Sequence, residues 1–182
     1  MGKATQDLRN EHNAILHVLK IMDKMIAADN RRENTVKIRY GNELIRFLRV
    51  FADKCHHGKE ENYLFMEMVS AGVPDKRGPI GAMLQEHKLG RGYIGSMVSS
   101  LETKDLANFN VAAAEYVDLL RNHIKKENEV LFVIADRVLN DIRQDELFRK
   151  FQQHEENVIG HGVHEELHAM IQQWSDEFGV HE

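Results

Sequence analysis

The sequence predicts an all-α protein: an up-down-up-down four-helix bundle with an additional C-terminal helical region. Three observations carry the prediction. Apolar residues recur at three- and four-residue spacing over long stretches, the signature of one buried helix face. No strand-like alternation rises above that pattern. Proline, which breaks helix interiors, occurs only twice in 182 residues, and both prolines, Pro74 and Pro79, fall in one gap.

The first helix is expected from about Thr5, a plausible N-cap, to Ala28. Its stripe is Leu8, His12, Ile15, Leu16, Leu19, Met22 and Ile26. A polar turn over 29–34 leads to a second helix from about Thr35 to Val69, with Leu44, Phe47, Leu48, Phe51, Phe65 and Met68 as its apolar stripe. Gly72, Pro74, Gly78 and Pro79 then break the chain. A third helix is expected from about Ile80 to Leu101, with His87 inside its stripe. A fourth runs from about Asp105 to Asn140, with His123 and Glu127 near the centre of its own. A last helical region covers about Gln144 to Phe178, interrupted near Gly160-His161-Gly162. The expected division is a bundle over 1–140 and a C-terminal extension over 141–182, packed on the bundle or forming a homodimer interface.

Composition excludes several function classes. The net charge is −5 with Lys and Arg interspersed among Asp and Glu, so no basic stripe calls for nucleic acid. The apolar runs fall short of a membrane span. One cysteine rules out an internal disulfide framework. A reducing cytoplasm is the simplest compartment. Histidine, at 11 of 182, is abundant.

Those histidines are patterned. His57-Gly58-Lys59-Glu60-Glu61-Asn62 is echoed by His123-Ile124-Lys125-Lys126-Glu127-Asn128, and each stretch runs on into Leu-Phe. Glu11-His12 is echoed by Glu86-His87. Residues four apart share a helix face, so each His-x-x-x-Glu aims an imidazole and a carboxylate at one point. Two overlapping pairs compete in the second helix. At about 100° per residue, His57 and Glu61 fall on the stripe side, and His56 and Glu60 point to solvent. The candidate metal ligands are therefore His12, His57, Glu61, His87, His123 and Glu127. A lone histidine on an apolar face is usually a core residue; the case here is four of them in four helices with two buried carboxylates that need a cation. Six groups exceed one tetrahedral zinc and suit two ions bridged by carboxylate. Gly58 in mid-helix costs about 1 kcal/mol relative to Ala, which a close approach by a neighbour would explain.

The chain resembles the hemerythrin-like, or HHE cation-binding, family over about residues 5–140. Glu11-His12, His56-His57-Gly58-Lys59-Glu60-Glu61 with Leu64-Phe65, Glu86-His87, and His123 to Glu127 with Leu131-Phe132 carry the resemblance. It implies a four-helix bundle around two non-haem iron ions, oxo- or hydroxo-bridged. It also implies His12, His57, His87 and His123 as terminal ligands, Glu61 and Glu127 as bridges, and dioxygen, peroxide or nitric oxide as small ligands. The oxygen carriers of the family have a second histidine one turn after the third-helix ligand, where this chain has Arg91. That departure leaves one ion short of an imidazole and favours binding or sensing of an oxidant over reversible carriage. An enzyme handling peroxide or nitric oxide is the competing reading, and an iron-storing or repair scaffold the blandest.

Among the rest, Tyr116 is read as core or as a hydrogen-bond donor near the site. Cys55 is read as a small apolar group, and the methionines as filler. His161, His164 and His168 are read as a solvated face.

Overall fold

The computed structural model of the chain describes residues 2–28, 32–160 and 162–181. Helix α1 spans Lys3–Ala27 and α2 spans Asn34–Phe47. The rod that α2 begins continues without a break to residue 70. It passes through two segments of wide, i→i+5 turns, Leu48–His57 and Glu60–Leu64, and ends as α3, Phe65–Ser70. Next comes α4, Pro79–Glu102, with proline at its first turn after Gly78 at φ 87°. A second composite rod follows: α5 (Leu106–Lys126), wide turns at Glu127–Leu131, then α6 (Phe132–Val138). The chain closes with α7 (Asp141–Val158) and α8 (Val163–Phe178). The described residues contain no strand, and no described helix is long and apolar enough to cross a membrane.

The expected helices are all present, with boundaries shifted by a few residues. One local expectation is corrected. Thr5 is not an N-cap: it is buried inside α1, where its hydroxyl lies 3.0 Å from Gly2 O and donates to Asp136 Oδ1 at 2.6 Å. The free amides of the first turn are met from the far end of the chain, Gly2 N–H by Asp136 Oδ1 and Ala4 N–H by Gln144 Oε1. Part of the expected 29–34 turn, and His161 with the His161/Glu165 pair, lie outside the described residues.

Two apolar cores flank a polar layer. The larger gathers Ile15, Leu19, Leu48, Ala52, Ile94 and Leu120, the smaller Leu8, Leu64, Phe65, Met83, Leu131 and Phe132. Each of the four long rods crosses from one core to the other at a histidine. On α1, His12 lies between Leu8 and Ile15. On the second rod, His56 lies between Ala52 and Leu64. On α4, His87 lies between Met83 and Ile94. On the last rod, His123 lies between Leu120 and Leu131. Helix α7 adds Leu147 and Phe151 to the smaller core, and α8 adds Leu167 and Trp174 to the larger, where Trp174 is buried edge-on against Phe47 at 6.3 Å and its indole N–H donates to Glu43 Oε2 at 3.1 Å.

Candidate metal centre

The crossing histidines meet in two groups. His57, His87 and His123 converge with Glu60; His12 and His56 converge with Glu60 and Glu127. All seven are buried. Glu60 belongs to both groups, and Glu127 reaches both, since its Oε2 lies 3.2 Å from His12 Nε2 and 3.2 Å from His123 Nε2. Glu60 Oε1 lies 3.6 Å from His56 Nε2, and its Oε2 lies 3.4 Å from His87 Nε2.

Four of the five imidazoles are held from behind by their Nδ1 atoms. His12 Nδ1 faces Asn128 Oδ1 at 2.9 Å, His56 Nδ1 faces Glu11 Oε2 at 2.8 Å, His87 Nδ1 faces Glu61 Oε1 at 2.7 Å, and His123 Nδ1 faces Glu86 Oε2 at 3.0 Å. A ring that donates its Nδ1–H outward presents the Nε2 lone pair inward, the arrangement that orients imidazoles toward a metal ion. The anchors are themselves braced. Arg9 donates to Asn128, Arg91 to Glu61, Lys59 to Glu11 and Lys126 to Glu86. His57 has only Asp53 behind it, at 3.5 Å.

Facing inward, these groups could hold metal ions. His12 and His56 bring their Nε2 atoms to 2.9 Å, and His87 and His123 bring theirs to 3.1 Å. Two lone pairs at such distances repel unless a proton or metal ion lies between them. Neither oxygen of Glu60 or Glu127 has an aligned hydrogen-bond donor, nor has either nitrogen of His57. Burying unpaired carboxylates is costly. The titration behaviour reflects the crowding. Burial and then the charge of Glu127 push Glu60 well above the usual carboxylate range. Burial alone would also raise Glu127, but the charge of His123 and the approach of His12 hold it well below. Burial and the neighbouring His12 push His56 down to about 4. Burial opposes a charge on His123, but Glu127 and Glu86 outweigh it and lift His123 to about 9.

The family model for the hemerythrin HHE cation-binding domain matches residues 3–135. The chain belongs to the hemerythrin HHE family. No curated protein and no solved structure matches it. Proteins of this hemerythrin-like class bind metal ions, typically iron, and the two His/Glu groups are where this member could hold them.

Five of the six residues expected at the hemerythrin-like centre converge: His12, His57, His87, His123 and Glu127. Glu61 does not. It lies on the rim, 26% exposed, with its carboxylate between His87 Nδ1 and Arg91. The expected outward placing of His56 and Glu60 is overturned: they are 1% and 0% exposed, and both join the centre. The reason is the wide turns. A regular α-helix gains about 40° for every four residues, so a fixed 100° step swings Glu60 away from the stripe. The i→i+5 turns advance less per residue and cancel that drift, and Leu48, Ala52, His56, Glu60, Leu64 and Met68 are all buried at strict four-residue spacing. The sequence contained this signal. One shift of 67 residues carries His56 to His123, Lys59 to Lys126, Glu60 to Glu127, Leu64 to Leu131 and Phe65 to Phe132. Matching His57 to His123 breaks the Leu-Phe register.

Arg91 also finds a different place. Its guanidinium donates to Asp53 Oδ1 and Glu61 Oε1, both at 2.8 Å, and braces the groups behind His57 and His87. His56 and His57 both arrive from one rod, so five imidazoles converge where four were expected. Gly58 is explained as expected: a Cβ there would lie 2.7 Å from His154 Nε2 on α7, the nitrogen that donates to Lys54 O. Tyr116 is buried with its hydroxyl unpaired, and burial pushes that hydroxyl above its ordinary range. Cys55 is buried, as expected of a small apolar group, and burial pushes its thiol up. His168 is exposed on α8, as expected of a solvated face.

Proposed function

We propose that this protein is a non-haem di-iron protein that binds or senses dioxygen or a related small oxidant such as peroxide or nitric oxide. We propose further that residues 1–140 form an up-down-up-down four-helix bundle around the irons, with 141–182 as an extension packed on it. The observation that carries the reading is the pair of fully buried carboxylates, Glu60 and Glu127, set without an aligned hydrogen-bond donor between two groups of inward-turned imidazoles. In this reading His57, His87 and His123 hold one ion, His12 and His56 hold the other, and Glu60 and Glu127 lie between them.

When bound, the two irons supply the electrons and the open coordination position that a small oxidant requires. The chain's own part is preorganisation. Asn128, Glu11, Glu61 and Glu86 keep the Nδ1 protons on the outer side of the four rings. The two apolar cores exclude water from above and below, with Phe132 stacked on His12 at 5.3 Å and Phe65 on His87 at 6.0 Å. Ile124 stands where the partner of His57 would stand in the second half. The His12/His56 side therefore has one imidazole fewer than the side of His57, His87 and His123.

The test is metal analysis joined to optical spectroscopy of the purified protein, reduced and then exposed to air. The expected result is about two irons per chain on this ligand count, with a visible spectrum that changes on reduction and on exposure. A reproducible single ion, or a spectrum indifferent to both treatments, overturns it. Sustained turnover of peroxide or nitric oxide would move the protein from binding to catalysis.

A further inference from the structure

Among the described residues, Lys59 is the one lysine whose side chain is wholly buried, at 0% exposure. Its ammonium donates to Glu11 Oε1 at 2.7 Å, Glu155 Oε2 at 3.0 Å and Asp7 Oδ2 at 3.1 Å, and lies 5.7 Å from the Phe151 ring centroid. Glu11 turns its other oxygen to His56 Nδ1. A continuous line of charged contacts thus runs from α7, through Glu155, Lys59 and Glu11, to an imidazole of the centre. The matching position is built otherwise. Lys126 is 45% exposed and, among the described residues, its ammonium pairs with Glu86, behind His123.

An ammonium held by three carboxylates cannot swing away, and it fixes whichever of them carries the imidazole. We propose that Lys59 is a positioning residue: it locks Glu11, and through it the His56 ring, and so lets α7 set how tightly the ion at His12 and His56 is held. The inference rests on the di-iron reading and extends it from the bundle to the C-terminal segment. It gives α7 a role in the centre without any side chain of α7 reaching an ion.

The experiment compares Lys59→Met, Glu155→Gln and Lys126→Met with the unmodified chain. Release of iron to a chelator and Mössbauer spectra of iron-loaded protein report each ion separately. Nitrogen NMR of the His56 ring in metal-free protein reports the anchor without iron. The expected result is that Lys59→Met releases one of the two ions about tenfold faster or more, the size of effect seen for partners behind a ligand. Only one Mössbauer doublet shifts, and the His56 Nδ1–H signal is lost or displaced. Glu155→Gln, which leaves Lys59 in place, does the same to a smaller degree, and it decides the matter if Lys59→Met fails to fold. Lys126→Met leaves the His12/His56 ion alone. Unchanged release, doublets and His56 signal in folded Lys59→Met or Glu155→Gln overturn the proposal, as does an equal effect on both ions. An unmodified chain that takes up fewer than two irons refutes the di-iron reading instead, and the His56 signal still decides whether Lys59 anchors the ring.

Discussion

Residues 3–70 and 79–138 are two versions of one half-site, and their differences are more informative than their likeness. Each half supplies Glu-His on one helix and His-x-x-Lys-Glu ending in Leu-Phe on the next. Each half anchors the other. Glu11 stays within the first half to hold His56, and Glu86 within the second to hold His123, while Asn128 crosses to His12 and Glu61 crosses to His87. Against this common plan the first half has His57 where the second has Ile124, Gly58 where the second has Lys125, an anionic Glu61 against a neutral Asn128, and a buried Lys59 against an exposed Lys126. A symmetric centre would hold two equal ions. These four exchanges make the two positions unequal, and in the di-iron reading an unequal pair would keep one ion saturated while the other meets a ligand.

The largest effect expected from breaking this comparison is at the shared carboxylates. Glu60→Ala removes a group common to both positions, so iron content should fall from about two per chain to one or none by metal analysis. Glu61→Gln removes only the charge behind His87. It should keep both irons and weaken retention about 10- to 100-fold, as changes behind a ligand do. If Glu61→Gln empties the centre while Glu60→Ala leaves it full, the wide-turn register is wrong.

Next in size is the exchange that makes the halves alike. His57→Ile gives the first half the residue the second carries at the matching position. The ion at His87 and His123 then loses its third imidazole, and the two irons should become nearly equivalent by Mössbauer spectroscopy, with faster loss of the one that had been held better. Two doublets as distinct as before would mean that His57 is not what separates the positions.

The halves also show what a sequence carries and what it hides. Helix number, extent and the four-histidine layer follow from apolar periodicity, because each rod must bury one face wherever it runs. His12 and His87 lie on regular α-helix, where a 100° step holds, and both are found as expected. His56 and Glu60 lie where the helix widens. No wheel of constant step can phase residues across a change of pitch, so a wheel favours the neighbouring pair, His57 and Glu61. The register was recoverable only by comparing the halves through Leu64-Phe65 and Leu131-Phe132. The third-dimensional partners were not recoverable at all. Nothing in the spacing of Lys59 announces that Asp7, Glu11 and Glu155 will enclose it, because Glu155 comes from a helix almost a hundred residues on.

His56 and His123 occupy matching positions but respond oppositely to protons in the metal-free protein. An unfolded histidine titrates near 6.5. His56 is pushed down to about 4, so below pH 6.5 the unfolded chain takes up a proton that the fold refuses, and stability falls as pH falls from about 6.5 to about 4. His123 is lifted to about 9, so its contribution is full below pH 6.5 and is lost as pH rises toward 9. Urea midpoints measured across this range should fall on both sides of a maximum. His56→Gln should flatten the acid side and His123→Gln the alkaline side. If either variant flattens the opposite side, the protons are assigned to the wrong half.

The smallest expected effect concerns Gly58, the counterpart of Lys125. Alanine in a helix interior is favoured over glycine by about 1 kcal/mol, so a glycine kept there needs a reason. The reason offered by the structure is His154, whose Nε2 would lie 2.7 Å from the new Cβ while it donates to Lys54 O at 2.9 Å. Gly58→Ala must displace the ring and break that bond, and a lost hydrogen bond costs about 1 kcal/mol. The two terms nearly cancel, so the single substitution should be close to neutral in chemical denaturation of the metal-free protein. With His154→Ala already made, the bond is gone and the space is open. Gly58→Ala should then stabilise by about the full 1 kcal/mol of helix preference. The difference between the two backgrounds is the coupling of the pair. A coupling of zero would show that His154 does not hold the glycine in place and would assign that role to the change of helical pitch, which separates Gly58 from Lys125 as much as any neighbour does.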